Sequence, residues 1–447
     1  MSLFPALVPQ GTLLYHGDCT PEIPPNAEWL AFEIPHAEMF SQMSCIQQHS
    51  DIDRLSLLSM WDLKQEAGGD DPPRRQPDLA PGWLHIYQAN RPLKLLYIDG
   101  MAAAKSDFGP MDTQDILLLN NFNQSSWKEM ERVQSLCKEA AEWDIDGFIR
   151  MEAGFEIVKC NFSDGLDMLS TRRRPQADCP AINGLSLLEI IRDVSARYDG
   201  IDASRVLVDY SSMVSAYFYP TNLSNPDPKS NLPRLLSSSP AQLSRIRSDL
   251  GDLITRSDPY ISIDWQGVAD MIQKRYSDRL QFMATDPPPS VFITTISTLL
   301  NVFVDYDDPT RDPVEICSAH YLLPIQLSTT QDQLIFAAIE TVSHRICDTL
   351  FSVREVLLEK QQSPEHQSSN ATAVELVQSL MDWLDWPDWK KCGSCPIDEV
   401  CFVAVFPLGS AEDHFNPRCK NGTAIAFGRS SYWRGDGSPP RRKHPGW

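Results

Sequence analysis

From about Leu185 onward the apolar residues change their spacing, and this change limits the possible fold more than any other feature of the chain. Before it, short apolar runs are separated by turn residues, the period expected of half-buried strands. The candidates are Leu13 to His16, Trp29 to Ile34, Trp83 to Ala89, Leu93 to Ile98, Gly147 to Met151 and Phe155 to Phe162. One amphipathic helix, Ser126 to Trp143, interrupts them, with Trp127, Met130, Val133, Leu136, Cys137, Ala140 and Trp143 three and four residues apart. After the change the repeat is helical: Leu187 to Val194, Leu243 to Ile254, Trp265 to Leu280, then Ser290 to Asp305, Thr330 to Lys360 and Ala371 to Trp383. The fold class is therefore α+β. A mixed strand and helix domain is expected over residues 1–180, an α-helical domain over 181–390, and a cysteine-stapled tail over 391–447 whose end is Gly/Pro/Arg-rich. The stretch Gln65 to Pro81 reads as a loop insertion, and Gln361 to Asn370 as a polar linker.

Composition narrows the function classes. At 447 residues and 42% hydrophobic content, the chain has apolar mass for two domains. A formal net charge of −21 repels phosphate backbones and anionic headgroups, which sets nucleic acid aside as a partner. The dense basic runs, Arg172-Arg173-Arg174 and Arg441-Arg442-Lys443, stand beside prolines and are expected in loops. No apolar stretch is long enough to span a bilayer. The opening Met1 to Pro9 lacks a charged leader and is broken by prolines, so it does not read as a signal peptide. Sequons beginning at Asn123, Asn161, Asn222, Asn370 and Asn421 point the other way, since chance would give only about two. Eleven cysteines also suit an oxidising compartment. A secreted or lumenal glycoprotein is expected, with the cytoplasm as the alternative.

In the tail, Cys392-x2-Cys395 supplies one zinc knuckle, but Cys401 and Cys419 lack the second tight spacing. Two disulfides are expected there, and no metal; His414 is expected at the surface. The common nucleotide-binding and hydrolase motifs do not occur. A polar loop follows Leu93 to Ile98: Asp99-Gly100, small residues, then Lys105, Ser106 and Asp107, with Asp112 expected to cap a helix. It places a carboxylate, an ammonium and a hydroxyl close together.

Two further segments carry chemistry. Leu14-Tyr15-His16-Gly17 is an apolar strand expected to end by presenting a histidine on a glycine turn, and Phe155-Glu156-Ile157-Val158, after the turn Asp146-Gly147, places a carboxylate in an apolar run. With Trp29-Leu30-Ala31-Phe32 and Ala37-Glu38-Met39-Phe40 between them, the order of pieces over residues 11–165 resembles the ADP-ribosyltransferase superfamily of the diphtheria-toxin and poly(ADP-ribose) polymerase type. Asp18 stands where that family has Thr, and the Tyr or Ser of its second strand is absent. The resemblance implies NAD as co-substrate, with ADP-ribosyl transfer or NAD glycohydrolysis as the activity. Tyr15, His16 and Gly17 would then bind NAD, Trp29 or Phe32 would stack on nicotinamide, and the catalytic residues would be His16, hydrogen-bonding the NAD ribose, and Glu156, stabilising the oxocarbenium-like transition state. Gly154 stands where arginine-modifying members carry a second Glu or Gln, which argues against arginine as acceptor. The competing expectation is a non-catalytic binding or accessory protein whose helical domain carries the partner surface.

Overall fold

The computed structural model describes residues 1–38, 41, 82–122, 129–174, 188–189, 191–193, 205–256, 263–362, 368–426 and 431–434. The Gln65 to Pro81 insertion, the Asn123 sequon, the first residues of the Ser126 helix, Met39 and Phe40, and Arg441 to Lys443 lie outside them. The strands are β1 (Ser2–Val8), β2 (Leu13–Asp18), β3 (Glu28–Ala31), β4 (Trp83–Ala89), β5 (Leu93–Ile98), β6 (Gly147–Met151), β7 (Phe155–Lys159), β8 (Leu166–Arg173), β9 (Leu207–Val208) and β10 (Val214–Ser215). Among the described residues these form one sheet, ordered β10-β1-β5-β6-β7-β3-β2-β4-β8, with β9 also on β1. Its neighbours are antiparallel except β5 and β6. A parallel pair needs a crossover. Here it contains a π-helical turn, Thr113–Leu118, and helix α1, Glu129–Glu142.

Each predicted strand is present: β4, β5 and β6 keep the expected bounds, and β2, β3 and β7 shift at their edges. Asp146-Gly147 does form the entry to β6: a Cβ on Gly147 would collide with the Val158 carbonyl, so only glycine lets β7 approach this closely. Gly17, by contrast, is not a turn. β2 runs on through it to Asp18 because β4 pairs along its whole length, with Gly17 opposite Leu84. Arg172 and Arg173 are likewise in a strand, β8, rather than a loop. β1 escapes a pattern reading because Pro5 sits inside it, and proline has no N–H to give a ladder. The strand is tolerated with Leu96 opposite Pro5 and Asp209 N–H donating to the Pro5 carbonyl at 2.9 Å.

The chain divides into two compact units, Met1–Tyr260 with Cys392–Arg441, and Ile261–Lys391. The first extends past residue 180 for a physical reason: β9 and β10 complete the sheet edge, and helix α2, Pro240–Arg256, joins its core. Leu243, Ile246 and Leu250 of α2, and Val133, Leu136 and Ala140 of α1, bury the same sheet face over Leu96, Phe148 and Val158. Cys137 and Cys160 bond α1 to the segment just past β7. The tail belongs to this unit as well. Strands β11 (Val400–Phe402) and β12 (Arg418–Lys420) are stapled by Cys392–Cys401 and Cys395–Cys419, the two disulfides expected there. The sulfurs of Cys392, Cys395 and Cys419 lie within 4.8 Å of one another, so the two disulfides are close neighbours. Phe402, Val405 and Leu408 of the tail pack on Ala153, Leu188 and Ile191.

The second unit is helical: α3 (Trp265–Met283), α4 (Pro289–Leu300), α5 (Pro313–Ala319), α6 (Thr330–Gln362) and α7 (Ser368–Leu384). Asp264 caps α3 by accepting from Gly267 N–H at 2.8 Å, and Asp312 caps α5 through Val314 N–H at 2.8 Å. The Trp265 indole donates to Asp332 at 2.9 Å, and Cys317–Cys347 ties α5 to α6. Among the described residues no helix is long and apolar enough to cross a membrane.

Candidate functional site

Strand register decides which of the predicted site residues meet. Tyr15 lies opposite Ala31, Ala31 opposite Glu156, and Glu156 opposite Arg150, so these four share one face of the sheet. Trp29, paired with Val158 two residues along, shares it too. His16 is one residue on from Tyr15 and faces the other way, with His85 opposite it. There it packs among rings, 5.3 Å from Phe162 and 5.6 Å from His85. Its Nδ1 bonds the Trp29 carbonyl at 2.7 Å, and Nε2 is buried 4.0 Å from Asp18. Burial holds the His16 imidazole down to a pKa of about 4, against the pull of Asp18. Phe32, past the end of β3, packs on the His16 side with Leu14 and Ile157. His16 and Glu156 are therefore separated by the sheet itself, and the NAD constellation of His16, a stacking aromatic and Glu156 is not brought together.

What Glu156 meets instead is a buried charge network. Its carboxylate accepts from Arg150 Nε at 2.7 Å, while the same guanidinium donates to Gln114 at 2.8 Å and to Glu129 at 2.5 Å. Arg132 pairs with Glu129 at 2.5 Å and forks onto Asp115 at 2.7 and 3.0 Å. Lys105, whose side chain is 2% exposed, reaches Glu152 at 3.0 Å and Glu129 at 3.5 Å. Three cations thus face four carboxylates in a space closed to water. Burial, reinforced by Glu129, raises the Glu156 pKa in spite of Arg150; burial raises that of Glu152 in spite of Lys105. Burial alone would raise Glu129 as well, but Arg150, Lys105 and Arg132 hold it below the usual carboxylate range. His36 is buried nearby, and desolvation takes it to about 4 against Glu152 and Glu33.

Of the polar loop, Lys105 alone enters this network. Asp99 accepts from Gly100 N–H at 2.8 Å and Tyr97 at 3.3 Å, and Asp107 is exposed, its backbone tied to Trp433. The Asp112 side chain does not cap the π-helical turn it precedes: it takes a forked ion pair from Arg234 at 2.8 and 2.9 Å and accepts from Leu235 N–H at 2.8 Å. Glu129, Arg132, Arg150 and Glu152 were not singled out from sequence. The available signal was a charge inside an apolar period: Arg150 within Gly147 to Met151, and Arg132 beside Val133 on the helix.

Tyr15 and Phe32 also border a surface cleft of about 540 Å³ that includes Glu33, Asp193 and Arg205. Arg205 fills its cationic need already, lying 5.6 Å over the Phe32 ring, donating to the Phe32 carbonyl at 2.9 Å and to Glu33 at 2.5 Å. Burial and the neighbouring Glu33 and Glu189 push the Asp193 carboxyl up to about 6.

Comparison with known proteins locates the network rather than explaining it. A family model described as the YPL277C N-terminal domain matches residues 62–180. All eight network residues, from Lys105 to Glu156, fall inside that span, whereas His16 and Trp29 fall outside it. The chain is 25% identical to uncharacterized protein YOR389W of Saccharomyces cerevisiae over 92% of its own length and 79% of that protein's. It is 34% identical to uncharacterized protein YPL277C of the same yeast over 38% of each chain. No solved structure matches.

Proposed function

We propose that this chain is a binding or accessory protein: the sheet unit acts as a rigid scaffold and the helical unit carries the partner surface. The observation behind this reading is the opposition of His16 and Glu156 across the sheet, with the Glu156 carboxylate already engaged by Arg150. A carboxylate that stabilises an oxocarbenium ion must face the substrate; this one faces a guanidinium. The helical unit, in turn, leaves large apolar side chains in water, among them Leu323 at 76%, Tyr306 at 69% and Val302 at 67% exposed. We place the protein in an oxidising compartment, secreted or lumenal. Four disulfides support that placement. So do the exposed sequons at Asn161 and Asn222, each of whose side chains accepts from the backbone N–H of its own sequon serine.

The test is direct. Calorimetry of the full chain with NAD at millimolar concentration is expected to show no binding, and chromatography no nicotinamide release. Nicotinamide release by the unmodified protein, reduced on the order of 10² to 10³ by Glu156→Gln, would overturn the reading in favour of NAD-dependent glycosyl transfer.

A further inference from the structure

Helices α3 and α4 of the helical unit enclose a groove of about 550 Å³ whose walls differ in kind. On α3, Arg275 and Arg279 are four residues apart and so project from one face. On α4, Ser290, Thr294 and Thr298 repeat at the same interval, which lines up three hydroxyls along one stripe. Both walls donate hydrogen bonds. The groove is therefore built for an acceptor.

Arginines in a chain of net charge −21 ordinarily find carboxylates. Arg150, Arg132 and Arg234 each do. Arg275 and Arg279 do not: among the described residues, neither guanidinium has a carboxylate within 4.0 Å. Both guanidiniums bond backbone carbonyls. Arg275 Nη2 donates to the Leu299 carbonyl at 2.8 Å, and Arg279 Nη1 to the Arg275 carbonyl at 2.8 Å. The Arg275 guanidinium is further held 5.4 Å over the Phe303 ring, so its position is fixed before any ligand arrives. Its Nε is buried without an acceptor among the described residues. Thr294 gives its hydroxyl proton to the Ser290 carbonyl at 2.8 Å, which leaves its oxygen to accept and places Ser290 and Thr298 as the donors of that wall.

We propose that this groove binds a small tetrahedral oxyanion of the phosphate class, held by Arg275 and Arg279 on one wall and by Ser290 and Thr298 on the other. A planar carboxylate has two oxygens in one plane and satisfies one fork; a tetrahedral group offers acceptors to both walls at once. The volume leaves room for an organic substituent on the phosphate. The site does not depend on the accessory reading: an enzyme with this helical unit would carry it equally, and its test reads binding alone.

Titration of the full chain with inorganic phosphate, followed by calorimetry and by phosphorus NMR line width, is expected to show saturable binding in the millimolar range or tighter. Arg279→Gln, an exposed position, is expected to weaken it about tenfold or more without changing the melting temperature. Arg311→Gln, in the same unit but paired with Asp305, is expected to leave affinity unchanged. Glycerol phosphate and vesicles containing phosphatidic acid separate the sources. Binding of the soluble ester marks a phosphorylated small molecule, whereas binding to vesicles alone, lost in Arg279→Gln, marks a lipid headgroup, and either upholds the site. Absence of saturable binding to all three probes, or equal binding by Arg279→Gln and the unmodified chain, overturns it.

Discussion

Two pairs of arginines divide this molecule. In the sheet unit Arg132 and Arg150 are buried and each is paired with carboxylates from more than one element; in the helical unit Arg275 and Arg279 border a groove and bond backbone carbonyls, with no carboxylate within 4.0 Å among the described residues. The same side chain therefore does opposite work. Arg150 joins β6, β7, α1 and the π-helical turn through one guanidinium, every nitrogen of which already donates to a side chain. Arg275 ties α3 to the Leu299 carbonyl of α4 and lies over the Phe303 ring, and Arg279 is exposed; neither is neutralised by a carboxylate within 4.0 Å among the described residues. In an acidic chain, a charged group marks a site when it lacks a partner, rather than when it is buried or strongly perturbed.

The largest effect should come from breaking the paired set. Arg150→Met leaves Glu156 and Glu129 buried without their cation, and should destabilise the sheet unit by about 3 to 5 kcal/mol. Thermal unfolding followed by circular dichroism checks this; a loss under about 1 kcal/mol would mean the network is solvated and the contrast false. The helical unit should depend instead on its covalent tie. Replacing Cys317 and Cys347 by alanine opens a loop with a sequence separation of 30 and should cost about 3 to 4 kcal/mol. Limited proteolysis should then release fragments of Ile261–Lys391 and spare the sheet unit.

Acid should separate the units next. His16 and His36, both in the sheet unit, have pKa values lowered by burial to about 4 from an ordinary 6.5. Above pH 6.5 both states hold them neutral and their contribution is complete. As pH falls from 6.5 towards 4 the unfolded chain binds protons that the folded chain refuses, so stability is lost, by at most about 3 kcal/mol per histidine. Glu152 and Glu156 have the opposite sign: with raised pKa values they favour the folded state at low pH and lose that contribution as pH rises. His16→Gln should flatten the acid limb of the melting curve, and an unchanged limb would remove His16 as its cause. The smallest effect should be that of Arg279→Gln, under about 0.5 kcal/mol on stability, while phosphate affinity falls. A large loss of stability would show that Arg279 is structural and would erase the contrast with Arg150.

Sequence pattern located the strands β2 to β7 and most of the long helices because period and turn chemistry are local. Trp83 to Ala89 and Leu93 to Ile98 were legible to the residue, since each is an apolar run closed by turn residues. β1 was not, because a proline inside a strand is acceptable only when a particular neighbour makes up for the missing donor. β9 and β10, at two residues each, carry no period at all. The candidate site divides in the same way. Glu156 on a strand, and Lys105 in a loop with Asp99 and Asp107, could be picked out one residue at a time. That Lys105 joins Glu152 rather than either aspartate depends on the backbone path between them.

By itself the sequence determined an α+β chain with a helical region, a tail closed by cysteines and a net charge that disfavours nucleic acid. Tertiary structure alone decided which charges are neutralised and which are left available. Register put His16 and Glu156 on opposite sides of one sheet, a difference of a single residue in a two-residue period. Packing of α1 on that sheet brought Arg132 and Glu129 to Arg150, and packing of α4 beside α3 set a hydroxyl stripe against two arginines. Each of these depends on contacts between residues distant in the chain, and no local spacing encodes them.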